Sequence, residues 1–158
     1  MRHAKSSWAI DGQPDFERSL NERGMKDAPE MGKRIADKKF HPQLIITSPA
    51  VRTLKTAKKV AKQLEYDENL IEQEPLIYEA HTDEILYLIR NLDDALHRVM
   101  LIGHNPTFTS MIGILTGSLV ENMPTAGVAL ISFDFKSWRQ VAQGTGQLDW
   151  FDFPKSGQ

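Results

Sequence analysis

Apolar residues along this chain follow two periods. Unbroken apolar runs at 44–46 and 99–102 are each followed by turn-forming residues, and they predict buried strands over 44–48 and 99–103. Leu54, Ala57, Val60, Ala61 and Leu64 repeat at helical spacing and predict a helix over 48–66. Ile85, Leu88, Ile89 and Leu92 do the same for a helix beginning at Asp83, and residues 107–117 read as an apolar helix with glycine at its end. Asp27 and Pro29, taken as a first turn, predict a helix over 27–40 that Pro42 ends. Residues 9–24 are polar, carry Gly12 and Pro14, and read as a long loop. Alternation from Gly127 predicts a strand over 128–135, and the aromatic stretch 148–153 an edge strand stopped by Pro154. Strands alternating with helices point to an α/β fold: one domain over 1–158, a three-layer αβα sandwich around a mostly parallel sheet.

In open α/β sheets, ligands bind at the carboxyl ends of the strands. Three polar segments fall at such places or at the chain start: Arg2-His3, Ser48-Pro49-Ala50-Val51-Arg52-Thr53 and Gly103-His104-Asn105-Pro106. Arg52 would sit in the first turn of a helix, where its guanidinium adds donors to an already positive helix end and can hold an oxyanion in a fork. The bland alternative is a surface arginine in a solvated ion pair. His104 leaves a strand without charges, between a glycine that permits close backbone approach and an Asn-Pro turn; a core histidine bonded to backbone is its alternative. His3 is the candidate nucleophile, because an imidazole with a bare nitrogen can attack phosphorus near neutral pH. A frayed chain end is the competing reading.

Composition narrows the chemistry. The chain has 158 residues, 41% hydrophobic and 25% charged, with a net charge of −2. Nothing in that balance favours nucleic acid or a membrane surface, and no apolar run approaches the length of a membrane span. The absence of cysteine excludes a thiol nucleophile and a thiolate zinc site. The histidines are too scattered to predict a metal centre, and no leader is evident, so a cytoplasmic location is the default expectation. Arg52, Lys55, Lys59 and Lys62, with Lys58 beside them, form a basic stripe that reads as a solvated helix face. Trp8 is expected to pack in the core. His81 could line a pocket mouth or stand in a loop, His41 and His97 fall at predicted helix ends, and Trp150, Phe151 and Phe153 are expected to pack against the sheet.

The segments MRHAKSSW, SPAVRTLKTA, LIYEA and LIGHNP, in this order, resemble the signatures of the histidine phosphatase superfamily, in particular its small SixA-type phosphohistidine phosphatase branch. The resemblance spans nearly the whole chain and implies a phosphoglycerate mutase-like fold. It further implies that His3 takes the phosphoryl group, that Arg2 and Arg52 bind phosphate, that His104 donates to the phosphate oxygens in its protonated form, and that Glu79 lies where many members hold an acid. No cofactor is implied. Two departures stand out. Ala4, Lys5 and Ala9 replace the Gly, Glu and Asn of phosphosugar-acting members, and there is no room between Arg52 and Glu79 for the helical lid of mutases. Members also carry several apolar residues before the Arg-His pair. With only Met1 there, the first strand is expected to be nearly absent: either the chain is truncated at its start, or another segment supports that edge and places His3.

The expected activity is a metal-independent phosphohydrolase with a phosphohistidine intermediate, acting on a phosphorylated protein, in particular a phosphohistidine side chain. Two alternatives stay open. One is a small-molecule phosphomonoesterase on the same pocket. The other is a non-catalytic phosphate-binding module, should His3 be loose.

Overall fold

The computed structural model describes residues 1–157. Its elements are α1 (Glu22–Asp37), β1 (Leu44–Thr47), α2 (Val51–Gln63), β2 (Glu72–Gln73), α3 (Thr82–Arg90), β3 (Val99–Ile102), α4 (Thr107–Thr116), β4 (Val128–Phe133) and β5 (Gly146–Asp152). Strands β2, β1 and β3 pair in parallel, with Ile45 opposite Met100 and Thr47 opposite Ile102. β4 and β5 form a separate antiparallel pair with an irregularity between Leu130 and Ile131.

The chain start stitches the two together. The Gly103 amide donates to the Met1 carbonyl and the His3 amide to the Gly103 carbonyl; on the other side the Arg2 amide reaches the Gly127 carbonyl and the Ala126 amide the His3 carbonyl. Arg2 thus lies in a parallel bridge with Gly103, beside β3. The nearly absent first strand is therefore made by Met1–His3, which are short but bonded on both edges. His3 is buried and held rather than frayed.

Side chains alternate across this sheet, as strand geometry requires. Ile45, Met100, Ile102 and Val128 face α1 and α2, packing with Met31, Ile35, Val60 and Leu64. Ile46 faces α3 and α4, with Ile85, Leu88, Phe108, Met111 and Leu115. That gives the flanking-helix layers around a parallel centre expected from the sequence. An apolar cavity of about 190 Å³ opens among core residues including Met100, Met111, Leu115, Ile131 and Trp150; none of the five candidate site residues lines it.

Several boundaries differ from expectation. α1 begins at Glu22, not Asp27, because Asn21 caps it by accepting from the Gly24 amide at 2.9 Å. Pro29 then lies inside the helix. The supposed loop of residues 9–24 ends at this cap and carries a single helical turn, Asp15–Glu17. α2 stops at Gln63, and α3 starts one residue earlier than expected, with His81 as its exposed N-cap in a capping box with Glu84. β4 ends at Phe133, and β2 was not foreseen. His41 and His97 lie in connecting segments outside the helices.

Gly24 fixes the approach of α1 to the strand. A Cβ there would fall almost on the Lys5 carbonyl oxygen, which already accepts from the Asn21 amide at 3.0 Å. Lys5 is backbone adjacent to Ala4 and cannot yield without moving His3. Gly24→Ala should therefore destabilise the protein by roughly 2–3 kcal/mol, within the overpacking range, as read by urea unfolding.

Candidate active site

His3 lies at the carboxyl end of the stitching strand. Its Nδ1 is 2.8 Å from the Ala4 carbonyl oxygen. A carbonyl only accepts, so Nδ1 carries the proton and Nε2 is left with a bare lone pair. Ala4, fully buried, is anchored in turn: its amide donates to Thr56 Oγ1 at 3.0 Å, and that hydroxyl donates to the Arg52 carbonyl at 2.7 Å. One hydroxyl on α2 thus ties the His3 segment to the backbone of Arg52.

His104 follows β3, with its ring centroid 5.4 Å from that of His3. Its Nδ1 is 3.4 Å from Arg52 Nη2, and its Nε2 is 2.8 Å from Ser48 Oγ. The guanidinium only donates, so Nδ1 accepts and the proton sits on Nε2, toward Ser48. With Nδ1 accepting and Nε2 donating, the His104 ring is neutral in this arrangement. Burial pushes its pKa down to about 3, and Arg52 and His3 add to this. His3 is pushed down to about 4, first by burial and then by Arg52, Arg2 and Arg18, against the Ala4 hydrogen bond that raises it.

Arg2 and Arg52 are brought to this pair. Arg52, nearly buried in the first turn of α2, gives Nη1 to the Asp15 carbonyl at 2.8 Å and Nη2 to Asp15 Oδ2 at 3.0 Å. Arg2 gives Nη1 to the Met123 carbonyl at 2.9 Å. In both arginines Nε is buried without a partner. Burial of Arg52 removes it from the predicted basic stripe, which shrinks to the lysines. Gly103 also has a different reason from the one expected: a Cβ there would meet the Phe108 ring and Ile77, so the glycine admits core packing rather than a ligand. Glu79 is exposed, at φ 60°, and among the described residues makes no side-chain hydrogen bond to either imidazole or arginine.

Four neighbours were not foreseen. Arg18 is buried and bonds Asp15 Oδ1 at 3.1 Å and Ser6 Oγ at 2.6 Å. Tyr78 donates to Asp15 Oδ2 at 2.7 Å and packs edge-on against His104. Asp15, with these partners, is held down to about 2, against a burial effect in the opposite direction. Ser48 completes the set. The one signal for Asp15 and Arg18 was their spacing of three in a polar loop, which by itself marks only a turn. Trp8 corrects another expectation: it is 73% exposed, and the Arg18 guanidinium lies 3.5 Å from its ring centroid, so the indole stacks on a cation instead of filling the core. Among the described residues, no three His, Cys, Asp or Glu are grouped to hold a metal ion, and no helix is long and apolar enough to cross a membrane.

Residues 1–111 match the sequence model of the histidine phosphatase superfamily (branch 1). The chain belongs to this superfamily. The crystal structure of a protein assigned as SixA from Agrobacterium tumefaciens is 30% identical, with 98% of this chain and 95% of that one covered at a TM-score of 0.81. The protein histidine phosphatase SixA complexed with tungstate shares the fold at 20% identity and a TM-score of 0.81, with 98% and 94% covered. An uncharacterized protein of Mycobacterium leprae is 25% identical over 169 residues, 98% of this chain and 100% of its own. The α/β fold found here, with its parallel central sheet and flanking helices, is the fold of this superfamily.

The two lowered imidazole pKa values carry a sign. Below pH 6.5 the unfolded chain binds protons at both histidines while the folded chain does not, so stability falls as pH drops from about 6.5 toward 4 and 3. Each histidine should add a slope of up to ~1.4 kcal/mol per pH unit. Urea unfolding of His104→Gln between pH 7 and 4.5 should show the slope reduced by about one proton equivalent.

Proposed function

We propose that this chain is a phosphohydrolase that works through a phosphohistidine on His3 and prefers phosphorylated protein, in particular phosphohistidine side chains. The observation that carries the reading is the bare Nε2 of a buried, neutral His3 whose other nitrogen is committed to the Ala4 carbonyl, with guanidiniums gathered around it. In the first step the Nε2 lone pair attacks phosphorus in line. The bond to the leaving atom breaks, and that atom keeps the electron pair and takes a proton. In the second step water attacks the phosphorus of the phosphohistidine and gives up a proton to solvent, the P–N bond breaks, and Nε2 regains its lone pair. Arg2 and Arg52 meet the charge on the equatorial oxygens, the dominant electrostatic contribution in phosphoryl transfer. His104 becomes a donor there once an approaching phosphate dianion favours its protonated form.

The rim supports a macromolecular substrate. Trp8 at 73%, Ile10 at 64% and Phe16 at 39% exposed stand along the segment that bears Asp15 and Arg18. Exposed aromatic and aliphatic groups beside a charged pocket suit protein contact better than enclosure of a small metabolite. The SixA relatives are named for phosphohistidine phosphatase activity, which agrees.

Incubation with radiolabelled phosphohistidine protein should leave an acid-labile label on wild type and none on His3→Ala, and an unlabelled wild type would reduce the site to phosphate binding. A phosphoramidate nitrogen is basic enough to be protonated in advance, whereas an alkoxide needs a positioned acid. Glu79→Gln should therefore leave phosphohistidine cleavage within about twofold of wild type and slow aryl or alkyl phosphate hydrolysis by roughly tenfold or more. Steady-state rates on both substrates, with chelator present, distinguish the phosphoprotein enzyme from a general phosphomonoesterase.

A further inference from the structure

Asp15 occupies the arginine site in a way that an incoming oxyanion would. One carboxylate oxygen takes Arg52 Nη2 at 3.0 Å and the Tyr78 hydroxyl at 2.7 Å, and the other takes Arg18 Nε at 3.1 Å. The carboxylate thus bridges two guanidiniums, both nearly buried. Arg52 gives its second terminal nitrogen to the carbonyl of the same residue. Both of the groups with which Arg52 could clasp a phosphoryl group in a fork are therefore engaged by Asp15, while its Nε is buried and unpartnered.

Asp15 is also placed to leave. Its side chain is 48% exposed. It belongs to a single helical turn with no buried residue, preceded by Pro14 and by Gly12 at φ 71°. No residue of the turn is itself buried, so its displacement removes no side chain from the core. Moving it breaks the polar bonds of Asp15 and the edge-on packing of Phe16 against Tyr78.

We infer that Asp15 is an internal anion that occupies the phosphoryl site at rest and must be displaced from Arg52 for substrate phosphate to bind. The inference rests on reading this pocket as a phosphoryl site. A site filled by its own carboxylate has its affinity for every external anion multiplied by the same fraction, that of molecules in which the carboxylate is off. Inorganic anions are then held weakly. A phosphorylated protein, with further contacts on the Trp8, Ile10 and Phe16 rim, can make up the difference. The internal carboxylate also neutralises guanidiniums that would otherwise repel one another in the empty pocket.

The test is calorimetric titration of wild type, Asp15→Asn and Tyr78→Phe with inorganic phosphate, sulfate and tungstate at pH 7.5. Asp15→Asn keeps the shape and removes the charge, and should bind all three anions about tenfold more tightly, by a common factor, since a charge-assisted contact is exchanged for a neutral one. Tyr78→Phe loosens the same carboxylate without removing it and should tighten all three by a smaller factor. Asp15→Asn should also have a lower Tm than wild type without phosphate and a larger rise in Tm with it. Unchanged or weaker anion binding in Asp15→Asn would overturn the inference and make Asp15 a strut that positions Arg52. If neither wild type nor variant bound any of the three anions, the phosphoryl-site reading itself would fall; absence of the His3 label with anion binding intact would remove only the covalent chemistry and leave a phosphate-binding site.

Discussion

The peptide unit of Ala4 is the constraint on which this site depends. Its amide is held by Thr56 on α2, and its carbonyl holds Nδ1 of His3. The first bond sets where the chain start lies against the helix that carries Arg52. The second sets which nitrogen of His3 is bare. Ala4 is fully buried, so neither bond competes with water, and each is worth more than a surface hydrogen bond would be. The remaining geometry follows: the strand bonds to Gly103 and Gly127 put His3 beside the end of β3, and His104 comes with that end.

The electrostatics are a consequence of where these groups are buried. Arg2, Arg18 and Arg52 all act on His3, and Arg52 and Arg18 also act on His104. Two imidazoles in so positive a setting, with little access to water, stay neutral across the physiological range. One retains a lone pair free for attack, and the other accepts from Arg52. The carboxylate bonded to Arg52 and Arg18, Asp15, is the counter-charge. Burial does most to keep the two histidines neutral, with the arginines adding to it, while the Tyr78 hydrogen bond and Arg52 keep this acid ionised. A cluster of this kind holds an anion well and resists protonation of its nucleophile.

Much of the frame could be read from the chain because its signals were local. β1 and β3 are short apolar runs closed by turn residues; α2, after β1, follows helical periodicity, and α4, after β3, is an apolar stretch ended by glycine. The two histidines and two arginines were found because each stands at the end of such a run or at the chain start. What escaped notice had no local signature. Asp27 and Pro29 predict a later start for α1 than the Asn21 cap gives it, because a proline is also tolerated inside the helix here. Strand β2 is two residues long. The pairing of Met1–His3 depends entirely on partners about a hundred residues away. Asp15, Arg18 and Tyr78 meet only in three dimensions, and Trp8 was misplaced because its partner, Arg18, looked like an ordinary loop residue.

The lock on His3 Nδ1 has a regiochemical consequence. Imidazole has two nitrogens that can carry phosphorus, and the isomers differ in lability and in the direction of the P–N bond relative to the ring. With Nδ1 turned inward to the backbone, a phosphoryl group accepted by this ring would be borne on Nε2 alone. The position isomer is thus decided by a main-chain oxygen that never touches the substrate.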